Sequence, residues 1–447
     1  MRVFNTMTRQ KEELIPLEEG KIRLYACGPT VYNFIHIGNA RPLVVFDTLR
    51  RYLEWRGYEV NFVQNFTDID DKIIRRANEE GLTYQQVAEK YIAEFWTDAK
   101  GLGVREATTH PKATENIDTI IDIVSRLVER GYAYRAANGD VYFRTRKFDE
   151  YGKLSHQPID DLESGARIAV GQLGSPSPWS DGRPGWHIEC SAMARRYLGE
   201  SIDIHGGGQD LIFPHHENEI AQSECCNGVP FARYWMHNGY INVDNKKMSK
   251  SLNNFFTVRD VAEAYGYEAI RFFLISSSYR MPINYNTEII QQGINALDRL
   301  YNCKNAMDFA LSNAPAGEVN AEFAAKVAGR RNQFIEAMDD DLNTADGIAA
   351  LFELVKDINV LLTDAAATKE TILCGKALFD ELTDVLGFCY ERGQAGEDDA
   401  EIEELIAART AARKEKNWAE ADRIRDELTA RGIVLEDTPQ GVKWHRA

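Results

Sequence analysis

Two lysines stand in the pentapeptide Lys247-Met248-Ser249-Lys250-Ser251. A short polar stretch with two cations can fold over a triphosphate and neutralise charge that builds up in a transition state. Far upstream, His36-Ile37-Gly38-Asn39 sets an imidazole and an amide around a glycine, just before Ala40-Arg41-Pro42 and a helical pattern. Glycine there lets a nucleotide approach the backbone closely, and a helix N-terminus favours phosphate. Taken singly, the first run is a lysine-rich loop and the second an ordinary turn. Their order and separation on a strand–loop–helix unit make the pair specific.

Four further residues have the types of a zinc site. Cys27 ends an apolar strand, and Cys190 lies in Gly185-Trp186-His187-Ile188-Glu189-Cys190. His215 and Glu219 lie in Phe213-Pro214-His215-His216-Glu217-Asn218-Glu219, read as a helix with Pro214 near its start. Their i, i+4 spacing puts them on one helical face. Two thiolates, an imidazole and a carboxylate suit tetrahedral Zn²⁺. No Cys-x-x-Cys pair supports this, and free cysteines are commonly buried small residues. Spacing leaves both readings open.

The elements that must carry these groups follow from the apolar pattern. Ile22 to Cys27 reads as a buried strand. A helix runs from about Ala40 to Gly57, and Tyr58 to Val63 is the next strand. That β–α–β unit puts its glycine turn at the carboxyl end of the first strand, where nucleotides bind in open parallel sheets. The fold class is α/β: a Rossmann-like parallel sheet with an insertion, then a helical bundle and a small C-terminal module. Residues 1–105 form the first half of the catalytic domain and 106–185 the insertion. Residues 186–240 form the second half, and 241–290 hold the lysine loop. The bundle spans 291–392, and the terminal module 393–447, after the polar linker Gly393 to Asp399.

Net charge is −17 over 447 residues, which argues against a generic basic nucleic-acid coat or an anionic-membrane binder. It leaves room for a local basic groove. No apolar stretch is long enough to span a membrane, and the N-terminus has no signal core. Seven cysteines, adjacent only at Cys225-Cys226, fit a reducing cytosol.

The paired His36 and Lys247 runs resemble the two ATP-binding signatures of class I aminoacyl-tRNA synthetases, with Asn39 where many members have a second histidine. Tyr25-Ala26-Cys27-Gly28-Pro29-Thr30-Val31-Tyr32, Asn65-Phe66-Thr67-Asp68-Ile69-Asp70-Asp71-Lys72, Gly185 to Met193 and Asp203 to Glu219 resemble the cysteinyl-tRNA synthetase family, over nearly the whole chain. The resemblance implies one zinc per chain on Cys27, Cys190, His215 and Glu219, also binding the thiol of L-cysteine. Pocket shape alone rejects an isosteric hydroxyl by only ~10²-fold in comparable cases, and a soft thiolate bond adds what an alcohol cannot match. A separate editing domain is then unnecessary.

The resemblance also implies ATP with Mg²⁺, phosphate contacts from His36, Gly38 and Asn39, and charge stabilisation by Lys247 and above all Lys250. Gly206 and Gly208 would let adenosine approach the backbone, with Asp210 on the ribose. The plain alternative is a glycine-rich turn after a strand. Thr67 and Trp186 become cysteine contacts, although Trp186 reads equally as a half-buried packing residue. His216 and Glu217 are alternative metal ligands. Asp68, Asp70 and Asp71 alternatively cap a following helix. The acceptor is tRNA(Cys), held by the bundle and terminal module, where Trp418, Trp444, Lys443 and Arg446 are candidate contacts. A cytoplasmic monomer is expected.

One departure stands out. The family carries a longer stretch before Ser177-Pro178-Trp179, where this chain has only Gly171 to Pro176. That is either a deletion in the protein or residues missing from the sequence. Two rivals remain: a ligase joining cysteine to a small amine, and a silent paralogue that only binds RNA or protein. The terminal module argues against the first, and the intact lysines and ligand set against the second.

Overall fold

The computed structural model describes residues 1–157, 176–243, 246–247, 256–390, 399–438 and 441–446. An antiparallel pair, β1 (Arg2–Asn5) and β2 (Gln10–Glu13), opens the chain. Next comes β3 (Lys21–Ala26), whose Ile22, Leu24, Tyr25 and Ala26 are all buried. A strand covered on both faces reads as a near-continuous apolar run. Helix α1 (Ile37–Trp55) follows, then β4 (Glu59–Gln64). α1 starts three residues earlier than the apolar pattern indicates, so Gly38 and Asn39 lie inside its first turn. The cause is a cap: His36 Nδ1 accepts the Asn39 N–H at 3.2 Å, and Asn39 Oδ1 accepts the His36 N–H at 3.3 Å. This is a capping box with histidine in the usual Ser/Thr position.

Helices α2 (Asp71–Glu80) and α3 (Tyr84–Gly101) lead to α4 (Ile117–Glu129) and a short hairpin, β5 (Ala133–Arg135) with β6 (Val141–Phe143). Asp70 caps α2 through the Lys72 N–H, at 2.8 Å. Then come α5 (Trp186–Leu198), β7 (Ile202–Gly208), α6 (Glu217–Asn227) and β8 (Ala232–Asn238). The main sheet has the order β4-β3-β7-β8, with every pairing parallel. β7 runs straight through Gly206-Gly207-Gly208, so the glycines belong to a strand and not to a turn. A Cβ on Gly206 would enter the Phe46 ring of α1.

Strands β9 (Ile241–Val243) and β10 (Lys246–Lys247) pair antiparallel, followed by α7 (Val258–Tyr265), α8 (Tyr267–Ile275) and β11 (Ile283–Tyr285). Four long helices come next: α9 (Thr287–Asn313), α10 (Ala321–Asp339), α11 (Thr344–Leu361) and α12 (Lys369–Leu386). The C-terminal part packs α13 (Asp399–Lys414) and α14 (Trp418–Ala430) with the hairpin β12 (Ile433–Thr438) and β13 (Gly441–Arg446), around Ile402, Ile406, Ile424, Leu428 and Ile433. The chain divides into two units. The first is Met1–Asn295 with Gln333–Ala349 and Val385–Phe388; the second is Ala296–Asn332, Ala350–Asp384 and Cys389–Ala447.

A buried ion network holds the first unit around α1. Asp47 accepts from Arg51 at 2.8 Å and Arg271 at 2.7 Å, and Arg271 also reaches the Leu386 carbonyl at 2.8 Å. Burial pushes the Asp47 carboxyl up, but the two guanidiniums outweigh it and hold it below the usual range. Asp47→Asn would leave two buried cations facing each other. Stability should fall by about 3–5 kcal/mol, read as a lower urea midpoint; a loss below about 1 kcal/mol would show that the network is not a cornerstone of this unit.

Candidate metal and nucleotide site

In the order β4-β3-β7-β8 the direction of chain growth reverses between β3 and β7. Open parallel sheets bind ligands beyond the carboxyl ends of their strands at such a point. Cys27 stands there, one residue past β3, and its N–H donates to the Gly206 carbonyl at 3.2 Å. Cys190, on α5, brings its sulfur to 3.6 Å from Cys27 Sγ. Two sulfurs each ~2.3 Å from one tetrahedral ion would sit about 3.8 Å apart. Glu219 Oε1 lies 3.5 Å from Cys27 Sγ and 2.9 Å from His215 Nε2. The four donors lie within 4.8 Å of one another. Cys190, His215 and Glu219 are buried, and Cys27 is partly so.

The local chain is less regular than the i, i+4 argument supposes. Regular α6 starts only at Glu217. Residues 212–216 form a wider turn, with Phe213 extended (φ −135°, ψ 133°) and a cis Phe213–Pro214 bond. His215 and Glu219 meet all the same.

A second set of donors shares Cys27 and Glu219 but uses His205 and His216. His205 Nε2 lies 2.8 Å from Glu219 Oε2, and His216 Nε2 lies 3.3 Å from Cys27 Sγ. His216 Nδ1 is 2.8 Å from His237 Nε2, which continues to Thr6 Oγ1 through His237 Nδ1, also at 2.8 Å. On the other side His187 and His215 share a 2.8 Å Nδ1–Nδ1 contact. Five of the nine histidines therefore gather here: His187, His205, His215, His216 and His237. Such outer partners orient metal-binding side chains. His187, His205 and His237 crowd between positions 187 and 237 of the sequence, but no spacing rule singles them out.

The electrostatics are those of a buried polar cluster. Burial alone would raise the Glu219 carboxyl, but His205 and His215 hold it down at about 2. Burial alone would lower His215, but Glu219 and Cys190 raise it to about 10. Burial pushes the Cys27 thiol well up. His216 and His237 are pushed down by burial and by neighbouring imidazoles, His237 to about 3.

Other expected residues surround this centre. Glu217 does not face the donors. Its carboxylate accepts from the N–H groups of Gly152 at 2.9 Å, Leu154 at 3.1 Å and Ser155 at 2.7 Å. Trp186 is 41% exposed and stacks on His215, with centroids 4.0 Å apart. The buried Thr67 hydroxyl donates to Glu189 Oε2 at 3.2 Å, and burial holds the Glu189 carboxyl well above its usual range. Asn65 Oδ1 takes both the Tyr25 hydroxyl and the Gly28 N–H at 3.0 Å. Asp68 binds Thr114. Cys225 and Cys226 are buried in a separate apolar cluster.

His36 caps α1, and its first turn carries Gly38 and Asn39. The chain around the lysine loop is tied to that turn: the Ile37 N–H donates to the Phe256 carbonyl at 3.3 Å, and Val258 N–H to Ile35 at 2.9 Å. Lys247 pairs with Asn242 in the β9–β10 ladder. Lys250 lies outside the described residues, as do the Gly171–Ser175 stretch and the linker through Asp398. Buried Arg41 donates to the carbonyls of Tyr240, Ser278 and Met281 at 3.0, 3.2 and 2.6 Å, fixing the approach to β9. Gly208 ends β7, and Asp210 is exposed just beyond it.

Comparison with known proteins fits this arrangement. Residues 13–295 match the family described as tRNA synthetases class I (C) catalytic domain, 333–391 the DALR domain, and 396–444 the cysteinyl-tRNA ligase anticodon binding domain. A cysteine–tRNA ligase of Clostridioides difficile is 54% identical over 467 aligned positions, covering 100% of both chains; one of Caldicellulosiruptor saccharolyticus is 52% identical with the same coverage. The first alignment is longer than the 447 residues of this chain, so the relative carries residues with no counterpart here. Among solved structures, Mycobacterium tuberculosis methionyl-tRNA synthetase with methionyl-adenylate superposes with a TM-score of 0.65 at 16% identity, over 86% of this chain and 94% of that one. The Agrobacterium radiobacter K84 agnB2 LeuRS complex gives 0.59 at 13%, over 84% of each chain.

The switch-point sheet, the paired signatures and these likenesses define a class I aminoacyl-tRNA synthetase. Within that class the full-length identity is decisive. The chain belongs to the cysteine–tRNA ligase family, the ATP-dependent ligases that charge tRNA.

Metal loading at the four donors should be strongly pH-dependent. A divalent ion binds thiolate and neutral imidazole, so protons must leave. Both Cys27 and His215 have raised values, so both hold protons through neutral pH in the metal-free protein. Zinc affinity should therefore rise with pH, by about tenfold per unit for each proton released. Competition against a chromophoric chelator across the neutral range measures it. A flat profile would refute these protonation states.

Proposed function

We propose that the protein activates L-cysteine with ATP to cysteinyl-adenylate and transfers the cysteinyl group to the 3′-terminal adenosine of tRNA(Cys), selecting cysteine through zinc held by Cys27, Cys190, His215 and Glu219. The observation that carries the reading is the two-thiol donor cluster at the sheet's switch point, on the end of β3 that leads toward α1. When bound there, zinc supplies a soft Lewis acid that prefers a thiolate to an alcohol. Both sulfurs approach at a tetrahedral edge, which favours the set with Cys190 and His215 over the set with His205 and His216. His205 and His216 then orient Glu219 and Cys27.

The remaining work belongs to positioning and charge. His36 holds the first turn of α1 open toward the phosphates through its cap, and Gly38 keeps that turn clear of side chain. Lys250 and Lys247 neutralise the pyrophosphate as it leaves with its Mg²⁺. Gly206 and Gly208 flank the adenosine, with Asp210 accepting from the ribose. Thr67 and Trp186 border the amino acid. Residues 106–185 act as the insertion, 291–392 grip the tRNA stem and 393–447 read the anticodon. The enzyme acts as a cytoplasmic monomer.

Cysteine-dependent ATP–pyrophosphate exchange tests the reading directly. Strong exchange with cysteine and at least ~10²-fold less with serine is expected. No exchange from folded, zinc-loaded protein would sink it. Lys250→Ala should cut exchange by about 10²–10³-fold while leaving zinc content unchanged. Zinc absorption spectroscopy discriminates the two donor sets. Two sulfur neighbours at ~2.3 Å are expected, falling to one in Cys190→Ser. A single sulfur in the unmodified protein would move the site to His205 and His216.

A further inference from the structure

Glu217 is fully buried and lies in sequence between the candidate ligands His215 and His216 and the candidate Glu219, yet it turns away from them. It is the first residue of α6, on the turn that also presents His215 and Glu219. Its two oxygens accept three main-chain N–H groups, from Gly152, Leu154 and Ser155. The same stretch is held at further points along α6: the Tyr151 hydroxyl binds Asn218, and Lys153 Nζ meets Glu224 at 2.6 Å. Leu154 is 1% exposed and lies in the apolar cluster that contains Cys190 and Trp235. Gly152 has φ +95°, and a Cβ there would strike the Gln157 carbonyl.

A carboxylate can satisfy three donors only where it stands. If the first turn of α6 rotated, Gly152, Leu154 and Ser155 would each lose a buried acceptor, which the interior does not replace. A metal ion bound by both His215 and Glu219 would fix the rotation of that turn. The stretch 151–155 and the metal thus bear on one element from two sides. Downstream, residues 176–185 run into Trp186 and the helix of Cys190. Residues 151–155 thus lie on one donor-bearing helix and residues 176–185 lead into another.

We propose that Glu217 is a positioning residue that couples metal occupancy to the docking of residues 151–155 on α6. The inference rests on the zinc reading above. Coupling of this kind is reciprocal: whatever the metal does for the loop, the docked loop does for metal affinity.

Hydrogen exchange on the full chain tests it, with zinc loading and chelator stripping followed by metal analysis and α3 amides as internal reference. In the unmodified protein, amides of 152–155 should exchange at least about fivefold more slowly with zinc than without. In Glu217→Gln they should exchange fast in both states. The variant should still bind one zinc, with affinity weakened about fivefold or more. Unchanged exchange on stripping a protein that binds zinc stoichiometrically overturns the coupling. So does a variant with a loosened loop and unaltered zinc affinity. A protein that takes up no zinc at all overturns the underlying zinc reading instead. The comparison of loaded and stripped unmodified protein needs no variant, so it stands even if Glu217→Gln fails to fold.

Discussion

The Glu219 carboxylate is the charge around which the site is assembled. An ionised carboxylate taken wholly out of water costs several kcal/mol unless it is paired and hydrogen-bonded. Here one oxygen meets His215 and Cys27, and the other meets His205. Those partners come from the turn before α6, from the end of β3 and from β7. His205 in turn stacks on Trp235 of β8, with centroids 4.5 Å apart and planes 17° from parallel. Three neighbouring strands and one helix turn must therefore be in register before this carboxylate is satisfied. The requirement explains why an irregular turn with an extended Phe213 is retained. It delivers His215 and Glu219 to the sheet while Glu217 points elsewhere.

The nucleotide side depends on backbone contacts instead. His36 spends its Nδ1 on capping α1, so the imidazole is fixed before any ligand arrives. The chain that leaves the lysine loop is stitched to Ile35 and Ile37, and the chain that leads to it is held through Tyr240 by Arg41. Burial lowers the Arg41 guanidinium to about 10, and carbonyl oxygens are its acceptors. A buried cation met by main chain rather than carboxylate holds loops in place and keeps its own charge uncancelled. The described chain on both sides of the lysine loop is thus tied to α1.

Much of this was legible in the sequence where the signal is local. The β–α–β unit and a helix cap among Asp68, Asp70 and Asp71 follow from apolar period, cap residues and glycine stops. The glycines of β7 were not legible as a strand. Their reason is a contact with Phe46 of α1, more than a hundred residues away, and a glycine run reads as a turn without it. His216 and Glu217 could not be separated from His215 and Glu219 by spacing. The Phe213 backbone sets which side of the turn faces the sulfurs, and residue types do not encode that angle. His205, His216 and His237 stand close in the sequence, but their order of contact arises only when β7, β8 and the turn are brought together.

The absence of a local cysteine pair, which weakens the spacing argument for zinc, has a physical counterpart in the folded chain. The contact between Cys27 and Cys190 spans 163 residues. A Cys-x-x-Cys loop can begin to bind metal in an unfolded chain, because its closure costs little. Donors drawn from three distant segments exist as a set only when the parallel sheet is formed. Metal binding at such a site adds to the stability of the whole catalytic unit. It also restricts the ion to molecules whose switch-point crevice is already built. Partly folded chains cannot present the same donors in a looser arrangement.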